Sequence, residues 1–245
     1  MERLLLIHKS LKSFLVDKNK DFHSHLGSIK KDILINARPG NILKTTKGEE
    51  LYVLEPSFYD LYSRIERKAQ IIPIKDLGII LSTTLVSKED IVVDAGTGSA
   101  ALAIFLARYV KKVISYDIRK DHLEIGKRNA KLLNVKNIEF KFGNIYNPNE
   151  IEEKNVSLLT LDVPEPWKAL DTAKKILKLG GFLVAYTPTI IQNSDFVNSL
   201  TNDFIHIKTV NILEMEWEIK NRVIRPKTRG MFHSGFLSFV RLIHK

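Results

Sequence analysis

Ile91-Val92-Val93 is an apolar run of the length of a buried strand. It leads into Asp94-Ala95-Gly96-Thr97-Gly98-Ser99 and then into an apolar, helix-forming stretch over residues 100–109. A strand, a glycine turn and a helix start, in that order, constrain the fold more than any other feature of the chain. Glycines let the backbone pass close to a ligand where a Cβ would clash. The helix behind them offers unpaired N–H groups and the positive end of its dipole. Such a turn holds a nucleotide-like cofactor, and its surroundings must say which one.

From residue 76 onward the chain alternates in the same way. The pattern predicts helix 77–85, strand 91–94, helix 100–108, strand 112–117, helix 121–133 and strand 138–142. It then predicts strand 156–161, helix 168–177 stopped by Gly180-Gly181, strand 182–186 and helix 194–201. Two β runs, 204–218 and 235–244, follow with no helix between them. A mostly parallel sheet closed by an antiparallel pair fits that order. Residues 1–68 read differently. Short β-like runs at 3–8, 33–35 and 50–54 are separated by Arg38-Pro39-Gly40-Asn41 and Lys47-Gly48, and a helical stretch covers 59–69. The expected organisation is a small β-rich domain over 1–68 and an α/β domain over 69–245.

Composition narrows the function. The 245 residues, 44% of them hydrophobic, suffice for one large core with a small satellite. The absence of cysteine excludes disulfides, thiolate zinc sites and a cysteine nucleophile. No run reaches the roughly 18 apolar residues of a membrane helix. Residues 1–6 read as part of the fold rather than as a signal peptide, so the expected location is cytoplasmic. A net charge of +10 points to a polyanionic partner, RNA or DNA first, against a merely lysine-rich composition. His23 and His25 have metal-like spacing but no further ligands, so no metal is expected.

Two cofactors compete for the glycine turn. Gly96-Thr97-Gly98-Ser99-Ala100-Ala101 satisfies the loose dinucleotide pattern, and Asp117 ends the next strand, as in a nicotinamide enzyme. Asp94 argues against it: a carboxylate just before the glycines suits a cationic amino acid or sulfonium better than a pyrophosphate. S-adenosylmethionine carries both cations, and its ribose hydroxyls match a carboxylate such as Asp117. A second motif, Asp162-Val163-Pro164-Glu165-Pro166-Trp167, follows the apolar run 156–161. Ligands in open α/β sheets bind at the carboxyl ends of strands, which places Asp162 beside the transferred group. The prolines stiffen the loop, and Trp167 either stacks on a substrate or packs in the core.

With these motifs the chain resembles the tRNA (adenine-58-N1) methyltransferases of the TrmI type. The resemblance spans nearly the whole sequence: His25-Leu26-Gly27-Ser28-Ile29, Gly48-Glu49-Glu50-Leu51, Arg67-Lys68-Ala69-Gln70-Ile71-Ile72, Lys75-Asp76, the glycine turn and Ser115-Tyr116-Asp117. It continues through Leu161-Asp162, Glu165-Pro166-Trp167, Tyr186-Thr187-Pro188-Thr189 with Gln192, Arg225-Pro226 and His233-Ser234-Gly235-Phe236-Leu237. It implies a class I methyltransferase with a Rossmann-like sheet behind a small β domain, assembled as a homotetramer acting on tRNA. It implies cofactor contacts at Gln70, Asp94, Gly96, Thr97, Gly98, Ser99, Ala100, Asp117, His122, the Gly143-Asn144 turn and Asp162. Trp167, Tyr186, Arg225 and His233 are expected on the substrate side. Three positions depart from the family. Ala100 replaces the third glycine, Asn144 stands for an aspartate, and Pro73-Ile74 replaces an aromatic or histidine followed by proline. The last puts activity on the neighbouring adenine 57 in doubt.

The resemblance suggests a mechanism. Adenine N1 is already a nucleophile, so alignment is the main catalytic device. A carboxylate accepting from the N6 amine stabilises the growing cation, and Asp162 takes that role. Position 58 lies in the folded tRNA elbow, so the base must be turned out, and cationic side chains offset that cost through phosphate contacts. The candidates are Arg222, Arg225, Lys227, Arg229, Lys30 and Lys31. Two rival readings remain: a non-catalytic tRNA-binding subunit, and a methyltransferase acting on another RNA.

Overall fold

The computed structural model describes residues 3–68, 70–227 and 233–245. Its contacts divide into two compact units, Met1–Ile65 and Glu66–Lys245. In the first, β1 (Arg3–His8), β2 (Ser13–Asp17), the hairpin of β3 (Phe22–Ser24) and β4 (Gly27–Ile29), α1 (Lys31–Asn36), β5 (Ile42–Lys44), β6 (Glu50–Leu54) and α2 (Phe58–Tyr62) follow in order. Four strands form an antiparallel sheet ordered β2-β1-β6-β5. Leu4, Leu6, Val16, Leu34, Leu51 and Val53 fill its core.

Two expectations for this unit are corrected. Residues 33–35 are helical, not extended. Asp21 Oδ1 accepts the Lys31 N–H at 2.8 Å, and Leu34 alone of the three apolar residues is buried. That external cap and one anchor override the β preference of two isoleucines. The helix expected over 59–69 shortens to Phe58–Tyr62, set by a Ser57/Asp60 capping box. Ala69 lies outside the described residues.

The second unit holds α3 (Ile74–Thr84), β7 (Ile91–Ala95), α4 (Ala101–Ala107), β8 (Lys112–Asp117), α5 (Lys120–Leu132), β9 (Ile138–Phe142) and β10 (Val156–Leu161). Then come α6 (Leu170–Ile176), β11 (Leu177–Thr187), α7 (Ile190–Asn198), β12 (Phe204–Val210), β13 (Trp217–Lys220), β14 (Val223–Pro226) and β15 (Phe236–Leu242). Seven strands form one sheet ordered β12-β15-β11-β10-β7-β8-β9. β15 runs antiparallel to β11 and β12, while β11, β10, β7, β8 and β9 pair in parallel. The chain leaves β7 outward through β8 and β9 and returns to β10 on its other side. The switch point therefore lies between β7 and β10, where an open α/β sheet leaves a crevice at its carboxyl end.

Three expectations here change. Gly180-Gly181 does not stop a helix. α6 ends at Ile176, β11 starts at once, and Gly180 (φ +76°) lies in a bulge where the β10 register shifts. α7 begins four residues earlier than expected, because the Thr189 hydroxyl accepts the Gln192 N–H at 3.2 Å. The long run 204–218 breaks after Val210, and Trp217–Lys220 pairs instead with β14 as a separate hairpin.

Asn129, on α5 and 2% exposed, ties the glycine turn to the start of this unit. Its Nδ2 donates to the carbonyls of Ser99 (2.9 Å) and Glu66 (3.0 Å), and its Oδ1 accepts the Glu66 N–H at 2.9 Å. Asn129→Leu keeps the volume and removes all three bonds. It is expected to cost about 1–3 kcal/mol, because a buried carbonyl loses its partner. A melting temperature lowered by several degrees in a thermal scan checks this.

Candidate methyl-transfer site

β7 delivers Asp94 and Ala95 to the crevice, and the turn that follows is bound to the next strand. The Gly96 and Thr97 N–H groups both donate to the Tyr116 carbonyl, at 2.9 and 3.2 Å. Gly96 has φ +95°, and a Cβ there would lie 2.1 Å from the Asp162 carbonyl oxygen. Only glycine lets the two loops meet. The Asp162 N–H donates to the Ala95 carbonyl at 2.9 Å, closing the contact from the other side.

The cavity between these loops measures about 420 Å³. Gln70, the turn from Asp94 to Ser99, Asp117, His122, Asn144 and Asp162 line it, with Ile71, Ile72, Ile145, Tyr146 and Val163 as apolar walls. Ala100 does not line it; it is buried at φ +59° as the cap of α4.

Three carboxylates face one another here, in different states. Asp94 is fully enclosed, accepting from Ser115 Oγ at 2.8 Å and Thr160 Oγ1 at 2.9 Å. Burial is the main reason its pKa rises to about 6, and the Asp117 charge adds to it. Asp117 Oδ2 accepts from the Gly98 N–H and from His122 Nδ1, each at 3.1 Å, while Oδ1 accepts from the Arg119 N–H at 2.9 Å. No side chain among the described residues donates to the Asp162 carboxylate. Burial, then the charges of Asp94 and Asp117, push its pKa up to about 7.

These contacts decide which cofactor the site fits. The Gly98 N–H, which a dinucleotide fold turns toward a pyrophosphate, is spent on Asp117. A phosphate would also face three carboxylates. A ligand with an ammonium, a sulfonium and ribose hydroxyls meets complementary charge and acceptors. The residues present therefore fit S-adenosylmethionine.

The loop that follows Asp162 is held from two further elements. Tyr146 Oη accepts the Glu165 N–H at 3.0 Å, and Gln192 Nε2 donates to the Pro164 carbonyl at 3.3 Å. Sequence reasoning missed Tyr146, and also Ser115 and Thr160 as supports of Asp94. Only the lone hydroxyl between apolar neighbours, Ser115 after Ile114 in β8 and Thr160 between Leu159 and Leu161 in β10, hinted at the last two. Trp167 is partly buried against the core, and Tyr186 is half-buried beside Asp162. Arg225 and His233 lie outside the cavity lining. Arg225 pairs with Glu218 at 3.0 Å, and His233 Nε2 meets the Pro188 carbonyl at 3.0 Å. Asn144 Oδ1 accepts the Tyr146 N–H at 3.0 Å, so its amide nitrogen is the group left for a ligand. His25 sits on Lys12 (2.9 Å), and among the described residues no group of three or more metal-ligating side chains assembles.

Gly96→Ala is expected to cost at least about 2 kcal/mol, from backbone strain plus the collision with the Asp162 carbonyl. Gly40→Ala is the control, with a similar φ of +94° and open space around the new methyl. Its expected cost is strain alone, about 1 kcal/mol, and denaturant midpoints of the two variants check the difference.

The comparisons with known proteins agree with this geometry. The family described as the tRNA methyltransferase complex GCD14 subunit matches residues 50–235. A Thermus thermophilus protein named tRNA (adenine(58)-N(1))-methyltransferase TrmI is 34% identical, over 97% of this chain and 96% of its own. A Methanocaldococcus jannaschii TrmI, named for adenines 57 and 58, is 32% identical over 97% of this chain and 94% of its own. Among solved structures, a SAM-dependent O-methyltransferase from Thermotoga maritima superposes with a TM-score of 0.92 at 30% identity, covering 100% of this chain and 94% of that one. The tRNA (m1A58) methyltransferase TrmI of Aquifex aeolicus gives 0.85 at 26% identity, covering 100% and 98%. The expected class I methyltransferase fold is the observed one, and the chain belongs to the family of the tRNA methyltransferase complex GCD14 subunit, among its TrmI members.

Proposed function

We propose that this chain transfers the methyl group of S-adenosylmethionine to N1 of adenine 58 in tRNA. Asp162 carries the reading: a carboxylate without an internal donor, opening into the cavity that the glycine turn borders. When bound, the cofactor supplies an electrophilic methyl group on a cationic sulfur. Gly96, Thr97, Gly98 and Ser99 form the floor on which it rests, and Ala100 sets the start of α4 beneath them. Asp117 retains acceptor capacity on Oδ1 for a ribose hydroxyl, and His122 holds its other oxygen in place. Gln70 and Asn144 close the nucleoside side, while Asp94 keeps the local potential negative for the cationic end.

Asp162 acts on the acceptor. Its carboxylate takes a hydrogen bond from the adenine N6 amine and stabilises the positive charge that the ring gains as N1 is methylated. The Tyr146 and Gln192 clamps keep that carboxylate in place, which supplies part of the alignment. The retained Asp94, Gly96, Gly98, Asp117 and Asp162 favour an active enzyme over a non-catalytic subunit.

The partner surface is basic. Arg222 and Lys31 are exposed, whereas Arg225, Lys227 and Lys30 pair with Glu218, Glu216 and Asp21, partners they exchange for phosphates on binding RNA. Arg229 lies outside the described residues. We assign Trp167 and His233 to the substrate side. Assembly as a homotetramer is supported by the β13–β14 hairpin, which exposes Trp217, Ile219, Val223 and Ile224. Among the described residues no helix is long and apolar enough to cross a membrane, and a cytoplasmic site of action suits a tRNA substrate. We assign catalysis to the domain over 69–245, with 1–68 as its accessory domain. Activity on adenine 57 is not carried over, given Pro73-Ile74.

Two expectations test the reading. Asp162→Ala should lower turnover on an unmodified tRNA transcript by about 10²–10³-fold and leave tRNA affinity within about threefold. Nucleoside mapping of N1-methyladenosine and a filter-binding titration measure both, and an equally active variant would sink the assignment. The second concerns pH. Asp162 must be ionised to accept from N6, and below its pKa of about 7 it becomes a donor. Turnover should therefore rise by up to about tenfold per pH unit below 7 and level off above it, as for loss of one proton. A rate that falls across that range contradicts the role.

A further inference from the structure

Three hairpin turns of the first unit meet at one exposed point. The registers His8↔Leu51 and Lys44↔Glu50 put the β1–β2 and β5–β6 turns at the same end of the four-stranded sheet. Thr45, which is 6% exposed, draws the β3–β4 turn to them. Its hydroxyl donates to the Leu26 carbonyl at 2.6 Å and accepts the Lys47 N–H at 3.3 Å and the Glu49 N–H at 3.2 Å. Gly27 (φ +108°) permits the approach, since a Cβ there would lie 2.9 Å from Thr45 Oγ1.

Each turn contributes one residue. Lys12 Nζ donates to His25 Nε2 at 2.9 Å, and Lys47 Nζ donates to the His25 carbonyl at 3.1 Å. An ammonium has only hydrogens to offer, so the ring nitrogen facing it is unprotonated and the imidazole hydrogen sits on Nδ1. The ring stands beside Phe14, with centroids 6.2 Å apart. Two ammoniums are thus gathered on one neutral residue.

The cluster lacks a counter-charge. Lys9 and Lys30, elsewhere in the same unit, meet Glu50 at 4.0 Å and Asp21 at 3.1 Å. Glu49, in the same turn as Lys47, faces His8 at 3.1 Å. Among the described residues no carboxylate pairs with Lys12 or Lys47. Bringing two like charges to one residue is unfavourable, and an anion beside them turns that repulsion into attraction. Each ammonium keeps two hydrogens beyond its bond to His25, and Nδ1 keeps one.

We propose that Lys12, His25 and Lys47 form a site for a phosphodiester group of the tRNA backbone. The inference rests on the tRNA reading above. A phosphodiester carries one negative charge and two unesterified oxygens, enough to take hydrogens from both ammoniums and from Nδ1. None of the three residues lines the methyl-transfer cavity, so the site holds the substrate and takes no part in the chemistry.

The test uses the full-length enzyme and an unmodified tRNA transcript. The double variant Lys12→Gln/Lys47→Gln should raise KM for tRNA about tenfold, with kcat at saturating tRNA and S-adenosylmethionine affinity unchanged. The slope of log Kd for tRNA against log salt should become shallower by about one, as for one lost phosphate contact. Lys12→Arg/Lys47→Arg keeps both charges and should bind within about threefold of the parent. Lys9→Gln/Lys20→Gln removes the same charge from the same unit outside the cluster and should leave KM and slope near parental values. An equal loss in that control, or an unchanged slope in Lys12→Gln/Lys47→Gln, overturns the site. A changed sedimentation coefficient with an unchanged slope assigns the turns to a contact between copies of the chain and overturns it as well. A parent that forms no N1-methyladenosine at position 58 overturns the tRNA reading itself, whereas an active parent beside an unaffected double variant overturns the phosphate site alone.

Discussion

Gly96 and the Asp162 carbonyl share a space too small for a methyl group, and the site depends on that approach. It joins the loop after β7 to the loop after β10, the two strands that flank the switch point. One loop carries the glycine turn and the other the Asp162 carboxylate, and both line the same cavity. Because they touch through backbone, their spacing is set by the sheet rather than by side-chain rotamers. The Asp162 N–H on the Ala95 carbonyl locks the same spacing from the other side. A methyl transfer governed by alignment needs that rigidity, since small displacements of a reacting pair carry large rate penalties.

A second constraint follows from crowding three carboxylates into one crevice. Asp94 is quieted by two hydroxyls, and Asp117 by two backbone amides and a histidine. Asp162 receives neither treatment, and burial, then the charges of Asp94 and Asp117, hold its pKa up. The same asymmetry leaves Asp162, alone of the three, with no side-chain donor among the described residues and both oxygens available to a ligand. It also excludes the dinucleotide reading left open by the glycine pattern, because the turn amide is committed to a carboxylate.

Much of this was legible in the sequence, and the reason is local. The glycine turn, Asp117 at a strand end and the Asp162 loop announce themselves because apolar runs and turn residues place them at strand termini whatever the rest of the chain does. β1 and β6, like β8, β9 and β10, match their expected ranges for the same reason. The misreadings share a cause as well. Residues 33–35 became helical through Asp21, ten residues before the N–H that it caps. Gly180-Gly181 looked like a helix stop and serves as a bulge, because β11 must follow a register shift in its neighbour. Lys75 Nζ donates to Ser234 Oγ across 159 positions of the chain, and no spacing rule finds that pair.

Ala100 shows how such non-local terms settle a departure from the family pattern. At φ +59° an alanine carries about 1–2 kcal/mol of strain that a glycine would not. Its methyl is nonetheless buried, and it faces α5 where that helix carries Gly126; a Cβ on Gly126 would lie 3.1 Å from it. One methyl fits between the turn and α5, and two do not. The strain at Ala100 is offset by filling a space that a glycine would leave empty against a glycine, since buried voids forfeit dispersion contacts. Asn129, one helical turn further along α5, then holds the Ser99 carbonyl, so the same helix fixes the turn by shape and by hydrogen bond. The turn keeps its left-handed step without its third glycine because α5, and not the turn's own sequence, dictates its path.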